Sequence, residues 1–519
     1  MSLPPVPMNL ATFSALAGAF GLMGYRFRKF QHLDSRRFVF ALYFALTAAF
    51  SSMAIITAIG YIPDDWSANR LTWSGGLFYG YPLYPGENGP SNGFFYPPAG
   101  AWFYLPASGL GILFRSPVAG LAMGWGMSLA CLLTPIILLL HLLNRHHKNR
   151  HSVGLLALAT AICIIFSCPP LRYVATMVHV DAPALLFLGI SMVLVLPVCP
   201  KGGMRRFQFA GGCLVLSAFS KQSVWPLLPL ITAAVIIFHG RPAIFHLLIS
   251  ATICFLFLLV VTLVFENGSE AFRMIWKLPL HQITITSASF ALRQFFIYSL
   301  PVCGLIGILL LTKFLCSYRT EDEIRKSSLL FFILALWMIP FAIVTRLRIG
   351  ADSNHLAIPF YLALLGCMTI LPSLLADLLQ APSLIPSSLF SSGIALLLAA
   401  SLTPYLSQCC GWYLWSHNPH QEALTYEFRQ LKRTYFPWQI YSMLIAEGKL
   451  YHLDDCLRYE AAAGWKRSEA SLQKYFPQEP FQIAIRPFGA PSYTVKEENY
   501  KRMACDPSLK NWEIYRKSP

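Results

Sequence analysis

Residues 118–143, VAGLAMGWGMSLACLLTPIILLLHLL, contain no Asp, Glu, Lys or Arg. At 1.5 Å per residue, a helix over this run measures about 39 Å, which exceeds the roughly 30 Å thickness of a bilayer's hydrocarbon core. The run therefore predicts a helix that crosses a membrane. Because similar runs recur along the chain, it also sets the fold class.

The composition of the whole chain agrees with this prediction. Of 519 residues, 55% are hydrophobic and only 12% are charged, whereas a soluble domain is usually about 25% charged. We expect an all-α polytopic membrane protein with about twelve transmembrane helices and a small soluble C-terminal domain that is α+β or irregular. The predicted spans are 8–25, 38–60, 118–143, 152–168, 183–199, 207–220, 223–240, 243–265, 291–314, 327–345, 355–378 and 386–405.

The net charge of +16 has a topological explanation. Basic residues cluster in short loops between apolar runs, as at 145–150 and 201–206, and loops on the cytoplasmic side carry an excess of Lys and Arg. This orientation puts the long loop after residue 60 and the tail on the outer side, and we expect no nucleic-acid partner. The two predicted domains are a transmembrane domain, 1–406, and an extracytoplasmic C-terminal domain, 407–519.

Acidic residues are rare before residue 407, and none lies in the middle of a predicted span. A proton- or ion-coupled transporter would need ionisable groups near the bilayer midplane. The pattern instead favours chemistry at the outer membrane surface. The acidic residues on that side are Asp64, Asp65, Glu87, Asp181, Glu266, Glu270 and Asp352.

The first outer loop begins with two adjacent carboxylates, Asp64 and Asp65, directly after Pro63. One interpretation is a helix end followed by two solvated acids. The other is a general base at the membrane surface, or a metal ligand. Aromatic residues follow at high density up to residue 104, and rings of this kind favour the level of the lipid headgroups.

The second outer turn carries Arg172, His179 and Asp181. Asp181 either caps the following helix or joins a site in which two carboxylates share a substrate or bridge a divalent cation with His179. The spacing of these residues is not diagnostic of a metal, so both the metal and any cofactor stay open.

Two further outer turns supply basic and amide groups. A Lys at a helix end, as at Lys221, either snorkels to the interface or binds a lipid phosphate. The polar segment 346–355 is either a solvated turn or a pocket for phosphate or sugar. The substrate-binding candidates are Arg172, His179, Lys221, Gln222, Arg346, Arg348, Asp352, Asn354 and His355.

Together these segments resemble the GT-C class of integral-membrane glycosyltransferases, which use polyprenyl-phosphate-linked sugars. Among bacterial proteins they are similar to the Rgt-type lipopolysaccharide core transferases and to the protein-mannosyltransferase and aminoarabinose-transferase group. The matching segments are Asp64-Asp65, 80–84 (GYPLY), 96–98 (YPP), 179–183 (HVDAP), 219–222 (FSKQ), 350–355 (GADSNH) and 447–452 (EGKLYH).

The resemblance implies a helical bundle with its active site on the outer face of the bacterial inner membrane. It implies that Asp64 or Asp65 is the catalytic base and that Asp181 supports it. The implied partners are a polyprenyl-phosphate-linked sugar donor and a lipid or glycan acceptor, with transfer of a hexosyl or pentosyl group. A single base acting opposite the leaving phosphate predicts inversion. The competing interpretations are a transporter or flippase of lipid-linked glycans and a non-catalytic membrane assembly protein.

Overall fold

The computed structural model describes most of the chain between residues 65 and 380 and parts of the tail. The described residues are 65–92, 94–146, 151–198, 203–277, 288–316, 321–347, 353–380, 393, 394, 397, 434–435, 440–452, 457, 460, 467–475, 483–487, 500–502 and 512–517. The predicted spans 8–25 and 38–60, most of 386–405, and the candidates Asp64, Arg348 and Asp352 lie outside the described residues.

Helices dominate the described part of the chain before residue 381. They are α1 (Asp65–Phe78), α2 (Ala99–Phe103), α3 (Leu105–Leu113), α4 (Pro117–His146), α5 (His151–Ser167), α6 (Pro169–Thr176), α7 (Asp181–Val195), α8 (Arg205–Ser220), α9 (Leu228–Phe265), α10 (Gly268–Phe272), α11 (Ala288–Cys316), α12 (Asp322–Arg346) and α13 (Ala357–Gln380). Short 3₁₀ turns, Gln222–Leu227 and Ser353–Leu356, precede α9 and α13.

The protein is a multi-pass membrane protein. Among the described residues, five helical segments are long and apolar enough to cross a bilayer, or six if a bent pair counts as one span. The segments are Pro117–Leu143, Gln222–Phe265, Ala288–Phe314, Asp322–Arg346 and Ser353–Leu378, and the bent pair is Val153–Ser167 with Pro169–Thr176. The total of about twelve spans stays a prediction.

Proline and glycine set the two sharpest breaks. The chain bends by 96° between α5 and α6, where Pro169 begins the new helix and cannot donate to the previous one. Within α9, Gly240 has φ 78° and ψ −177°, a conformation that side chains with a Cβ disfavour. This break coincides with the predicted boundary between the spans 223–240 and 243–265.

Among the five long apolar segments of the described chain, that of α13 is the most buried and that of α9 the most exposed. The most apolar stretch of the α13 segment is 94% buried inside the protein, against 17% for the α9 segment. Large apolar side chains such as Ile237, Phe257 and Phe265 cover the outside of α9 with exposures of 65–75%. Such a surface suits contact with lipid, so α13 forms the centre of the bundle and α9 its periphery.

The described part of the tail combines helices with a small sheet. The elements are β1 (Thr434–Tyr435), α14 (Ile440–Glu447), α15 (Glu469–Lys474), β2 (Ile483–Pro487), β3 (Tyr500–Arg502) and β4 (Trp512–Lys517). The strand order is β1-β2-β4-β3; β1 and β2 are parallel, and β4 is antiparallel to both of its neighbours. The extent of a domain over 407–519 stays a prediction.

Helix α14 packs into the outer end of the bundle. Its Tyr441 hydroxyl donates to the backbone oxygen of Ser108 at 3.2 Å. A Cβ at Gly111 would lie 2.2 Å from that hydroxyl oxygen, so the absence of a side chain there makes room for the ring. This packing puts α14 and the first outer loop on the same side of the molecule, as the predicted topology requires.

Candidate active site

Asp181 is the centre of a buried polar cluster at the turn between α6 and α7. It is the first residue of α7 and is 1% exposed. Oδ1 accepts a hydrogen bond from the Lys221 ammonium, and Oδ2 accepts one from His179 Nδ1 and one from Asn354 Nδ2, the last at 2.7 Å. No side chain caps α7. Asp181 therefore serves this cluster, which we call the buried cluster, and does not cap the helix.

Distant parts of the chain supply the members of the buried cluster. Lys221 follows α8 in an extended conformation, and Asn354 lies in the 3₁₀ turn before α13, 173 residues from Asp181. Helices α7 and α8 are held together by a hydrogen bond of 2.7 Å from Ser217 Oγ to the backbone oxygen of Ala184. Because Ser217 lies one turn before Lys221, this bond fixes where the lysine side chain starts.

The charges in the buried cluster compensate each other. Burial alone would raise the pKa of Asp181. The Lys221 ammonium and the His179 ring together lower it by more than burial raises it, so the pKa lies below its usual value. Burial first, and then the Arg70 guanidinium, lowers the pKa of His179 to about 3. The imidazole is therefore neutral at physiological pH. Because a carboxylate can only accept, the single N–H of His179 is on Nδ1, and Nε2 is an acceptor.

Aromatic and guanidinium groups surround His179. The Tyr96 hydroxyl lies 3.4 Å from Nε2, and the buried Tyr104 hydroxyl donates to the His179 backbone oxygen at 3.1 Å. Arg70 donates to the Tyr173 hydroxyl at 2.9 Å. None of these four residues was predicted as a site residue. For Tyr96 and Tyr104 the signal was the density of aromatic residues in the first outer loop, which also fits the membrane interface.

Asp65 lies close to this turn along the backbone. Asp65 begins α1, and two residues later Ser67 Oγ accepts a hydrogen bond of 3.2 Å from the Val178 N–H. Arg70, also on α1, donates to the Val178 backbone oxygen at 3.4 Å. Because a helix rises 1.5 Å per residue, the start of α1 is within about one turn of the segment that carries His179. Asp64 lies just before the described residues.

The other predicted site residues lie in different surroundings. Gln222 Nε2 donates to the backbone oxygen of Phe95 at 3.4 Å. Arg346, at the end of α12, donates from Nε to Gln294 at 2.9 Å, and its guanidinium lies 5.5 Å from the centre of the Phe290 ring.

Two candidates complete the set. Arg172 lies on α6, where its backbone oxygen accepts a hydrogen bond from Thr176 Oγ1 at 2.9 Å. His355 is next to Asn354 in the 3₁₀ turn. The structure thus brings together Asp181, His179, Lys221 and Asn354 in one set of hydrogen bonds.

Residues 81–98, which we call the outer loop, cover the buried cluster. Trp73 Nε1 donates to the Asn92 backbone oxygen at 2.7 Å, and the Tyr84 hydroxyl donates to that of Tyr96 at 2.6 Å. The Glu266 carboxylate accepts from the Leu83 N–H at 2.8 Å, and burial raises its pKa. These bonds fix the backbone that positions Tyr96.

The tail holds the other end of the outer loop. Arg467 Nη1 donates to the backbone oxygens of Gly86 and Gly89, both at 2.6 Å, and its remaining nitrogens bind the Glu460 carboxylate at 2.9 Å. Both side chains of this ion pair are 1% exposed. His452 accepts from the Ser91 N–H at 2.8 Å through Nδ1. We call His452, Glu460 and Arg467 the tail clasp.

A metal site was left open by the sequence. Within the described ranges, no group of three or more His, Cys, Asp or Glu side chains is arranged to hold a metal ion. Asp64 and Asp352 both lie outside those ranges.

Comparison with known proteins identifies the fold. The chain is similar to the crystal structure of ArnT from Cupriavidus metallidurans bound to undecaprenyl phosphate, with a TM-score of 0.51 and 10% sequence identity. The match covers 91% of this chain and 98% of ArnT, an aminoarabinose transferase of the GT-C class. The fold implied by the sequence resemblance is therefore confirmed. No protein-family model and no curated protein sequence matches the chain.

Proposed function

We propose that the protein transfers a sugar from a polyprenyl-phosphate donor to an acceptor hydroxyl at the outer face of the bacterial inner membrane. The observation that carries the proposal is the shared fold, over 91% of the chain, with a transferase whose structure contains undecaprenyl phosphate. The position of the buried cluster supports it, since Asp181, Lys221 and Asn354 meet beneath the outer loop, on the side to which the predicted topology assigns Asp64 and Asp65.

In the proposed reaction, the bond between the sugar's anomeric carbon and the phosphate oxygen breaks. A bond from the acceptor oxygen to that carbon forms, and the acceptor's proton goes to a carboxylate. The phosphate is already a good leaving group, so the protein needs one positioned base. We assign that base to Asp64 or Asp65, and attack opposite the phosphate gives inversion.

Asp181 has a supporting role in this proposal. Its two oxygens already accept from Lys221, His179 and Asn354, and a carboxylate that is 1% exposed is poorly placed to take a proton from an acceptor. We propose that it holds these three side chains in place beneath the substrate.

The donor phosphate needs positive charge near the membrane surface. The Lys221 ammonium is engaged by Asp181, so the proposal assigns the phosphate mainly to Arg346 and Arg348, with Arg172 as a further candidate. The remaining candidates Gln222, Asp352 and His355 are proposed to line the sugar and acceptor positions, while Asn354, buried against Asp181, supports them from beneath. The acceptor is a lipid or a glycan.

The test uses the full chain in nanodiscs with undecaprenyl phosphates that carry tritium-labelled glucose, galactose, mannose or aminoarabinose. We expect release of undecaprenyl phosphate from at least one donor, and faster release when octyl β-glucoside is added as an acceptor. Movement of the intact donor between leaflets without cleavage would indicate a flippase and contradict the proposal. The matched control is Asp64→Asn/Asp65→Asn protein, in which release should be lost.

A further inference from the structure

The buried cluster reaches the substrate side through one of the residues that surround it, Tyr96. The side chains of Asp181, His179, Lys221 and Asn354 are each 3% exposed or less, so a substrate cannot touch them without displacing protein. The Tyr96 side chain is only partly buried, and its hydroxyl lies 3.4 Å from His179 Nε2. Asp181, His179 and Tyr96 thus form a line from a buried carboxylate to the hydroxyl of a partly buried tyrosine.

The donor and acceptor chemistry of these groups assigns the hydrogen atoms along this line. The Asp181 carboxylate can only accept, so the single proton of the neutral His179 ring is on Nδ1. His179 Nε2 is then an acceptor, and the hydrogen bond between the two side chains requires the Tyr96 hydroxyl to donate. With its proton directed to His179, the Tyr96 oxygen can act toward a third group only as an acceptor.

We propose that the Tyr96 oxygen accepts a hydrogen bond from a hydroxyl group of the sugar substrate. This inference rests on the proposed function and adds a specificity-determining contact to it. The partner must carry a proton to donate. A sugar hydroxyl does so, whereas the phosphate of a polyprenyl-phosphate diester has none at neutral pH. Tyr96 therefore recognises the sugar and not the lipid phosphate.

The surroundings of Tyr96 are built to hold its ring. The ring stands edge-on to His179 at a centroid distance of 5.4 Å and lies 6.1 Å from the Trp73 and Phe94 rings. The Tyr84 hydroxyl binds the Tyr96 backbone oxygen. Because Tyr84 is 0% exposed, its hydroxyl is structural, and it provides a matched comparison in the same loop.

The experiment compares wild type, Tyr96→Phe and Tyr84→Phe in nanodiscs. Tyr96→Phe keeps the ring contacts and removes one acceptor oxygen. Three quantities are measured: the affinity for undecaprenyl phosphate, kcat/KM for the cleavage of an active labelled donor, and KM for octyl β-glucoside. We expect Tyr96→Phe to leave undecaprenyl phosphate affinity within about twofold of wild type. Either donor kcat/KM should fall or octyl β-glucoside KM should rise by about 5- to 10-fold, as for loss of one hydrogen bond.

A fall in donor kcat/KM would show that the hydroxyl belongs to the donor, and a rise in KM for octyl β-glucoside would show that it belongs to the acceptor. Donor analogues that lack one sugar hydroxyl each, or the corresponding deoxy acceptors, then locate it. Wild type should discriminate against one analogue by about 5- to 10-fold, and Tyr96→Phe should treat that analogue and the intact sugar alike. Tyr84→Phe should keep the wild-type discrimination even if its melting temperature falls.

Two results would overturn the inference while leaving the proposed function intact. One is an active Tyr96→Phe protein with wild-type discrimination against every analogue. The other is an equal loss of affinity for undecaprenyl phosphate and for the glycosylated lipid, which would mean a phosphate contact or a general loss of structure. A wild-type protein that cleaves no donor would overturn the proposed function itself, and the inference with it.

Discussion

The Lys221 ammonium donates a hydrogen bond to the Asp181 carboxylate at a point where neither side chain is more than 3% exposed. Taking two charges out of water costs several kcal/mol for each ion, and their attraction repays this only when further hydrogen bonds satisfy both groups. His179 and Asn354 supply those bonds to Asp181. The four side chains therefore depend on one another.

Breaking this ion pair should destabilise the fold. Asp181→Asn leaves the Lys221 ammonium buried without its counter-charge, and Lys221→Met does the same to the carboxylate, so each should cost about 3–5 kcal/mol. The double variant should recover part of the loss. Thermal and denaturant unfolding in nanodiscs measures both, with the exposed Arg325→Met as a control that changes nothing measurable. Fully additive losses would argue against coupling between the two residues.

Removal of the proposed base should abolish turnover without unfolding the protein. We expect Asp64→Asn to lower the transfer rate by about 10²–10⁴, since the amide keeps the shape of the side chain and cannot accept the proton. Asp65→Asn should cost less if Asp65 is only a neighbour. The control is Glu323→Gln, an exposed acid on the predicted cytoplasmic side. If both first-loop variants keep near wild-type rates at unchanged melting temperature, the base lies elsewhere.

Loss of a positively charged side chain that binds the donor phosphate should weaken donor binding. Among Arg346→Gln, Arg348→Gln and Lys221→Gln, at least one should reduce affinity for undecaprenyl phosphate by roughly 2–5 kcal/mol if the charge pair is buried. Binding is measured by titration of the lipid into nanodiscs, with Arg325→Gln as the control. Wild-type affinity in all three variants would show that other residues bind the phosphate. Arg70, which donates to the Tyr173 hydroxyl, is then the next candidate.

The tail clasp should control the order of the outer loop. Arg467→Met leaves the buried Glu460 carboxylate unpaired and removes the donors to Gly86 and Gly89, so we expect a loss of about 3–5 kcal/mol. Amide hydrogen exchange over 86–91 should accelerate. Lys474→Met, which removes an exposed cation from the same segment, should leave exchange unchanged. Equal exchange rates in the two variants would show that the clasp does not restrain the loop.

His452 should make stability depend on pH. Its Nδ1 accepts a hydrogen bond from the Ser91 N–H, and its Nε2–H donates to the Ser471 backbone oxygen. Protonation of the ring would add a proton at Nδ1, which would point at the Ser91 N–H and break that hydrogen bond. Burial lowers the pKa of His452 to about 4 from 6.5. Between these values the unfolded chain binds a proton that the folded chain does not, so stability is full above pH 6.5 and falls as the pH drops toward 4. The slope should be at most about 1.4 kcal/mol per pH unit.

The measurement is the melting temperature of wild type and His452→Gln between pH 4 and 8. The difference between the two proteins should be constant above pH 6.5 and should shrink below it. A difference that grows on acidification would reverse the sign and contradict the assignment of His452 as neutral in the folded protein.

The sequence was informative wherever one segment decides its own structure. Residues 118–143 form most of α4, and the break at Gly240 falls where Arg241 separates two apolar runs. The number of spans was harder to test, because α7 and α8 are shorter than the roughly 20 residues that a full crossing needs. Helix α7 begins at Asp181, and α8 ends just before Lys221. The pattern of hydrophobic residues does not indicate these two ends, because they coincide with the buried cluster.

The site was predicted in part for the same reason. His179, Asp181, Lys221 and Asn354 stood out because polar groups are rare next to apolar spans. Their mutual hydrogen bonds join positions up to 173 residues apart. A local sequence pattern does not predict a contact over such a separation. Tyr96 was one of many aromatic residues in its loop, and only its distance from His179 distinguishes it.

The tail clasp also has a consequence for how the protein is made. His452 binds Ser91 across 361 residues, and Ser471 binds Gly89 across 382. A ribosome that inserts the helices in order must finish nearly the whole chain before these partners exist. The outer loop is thus completed last, and products of premature termination lack the contacts that order it. Ordering of the outer loop is therefore a late step of folding, which follows synthesis of the segment that contains His452 and Ser471.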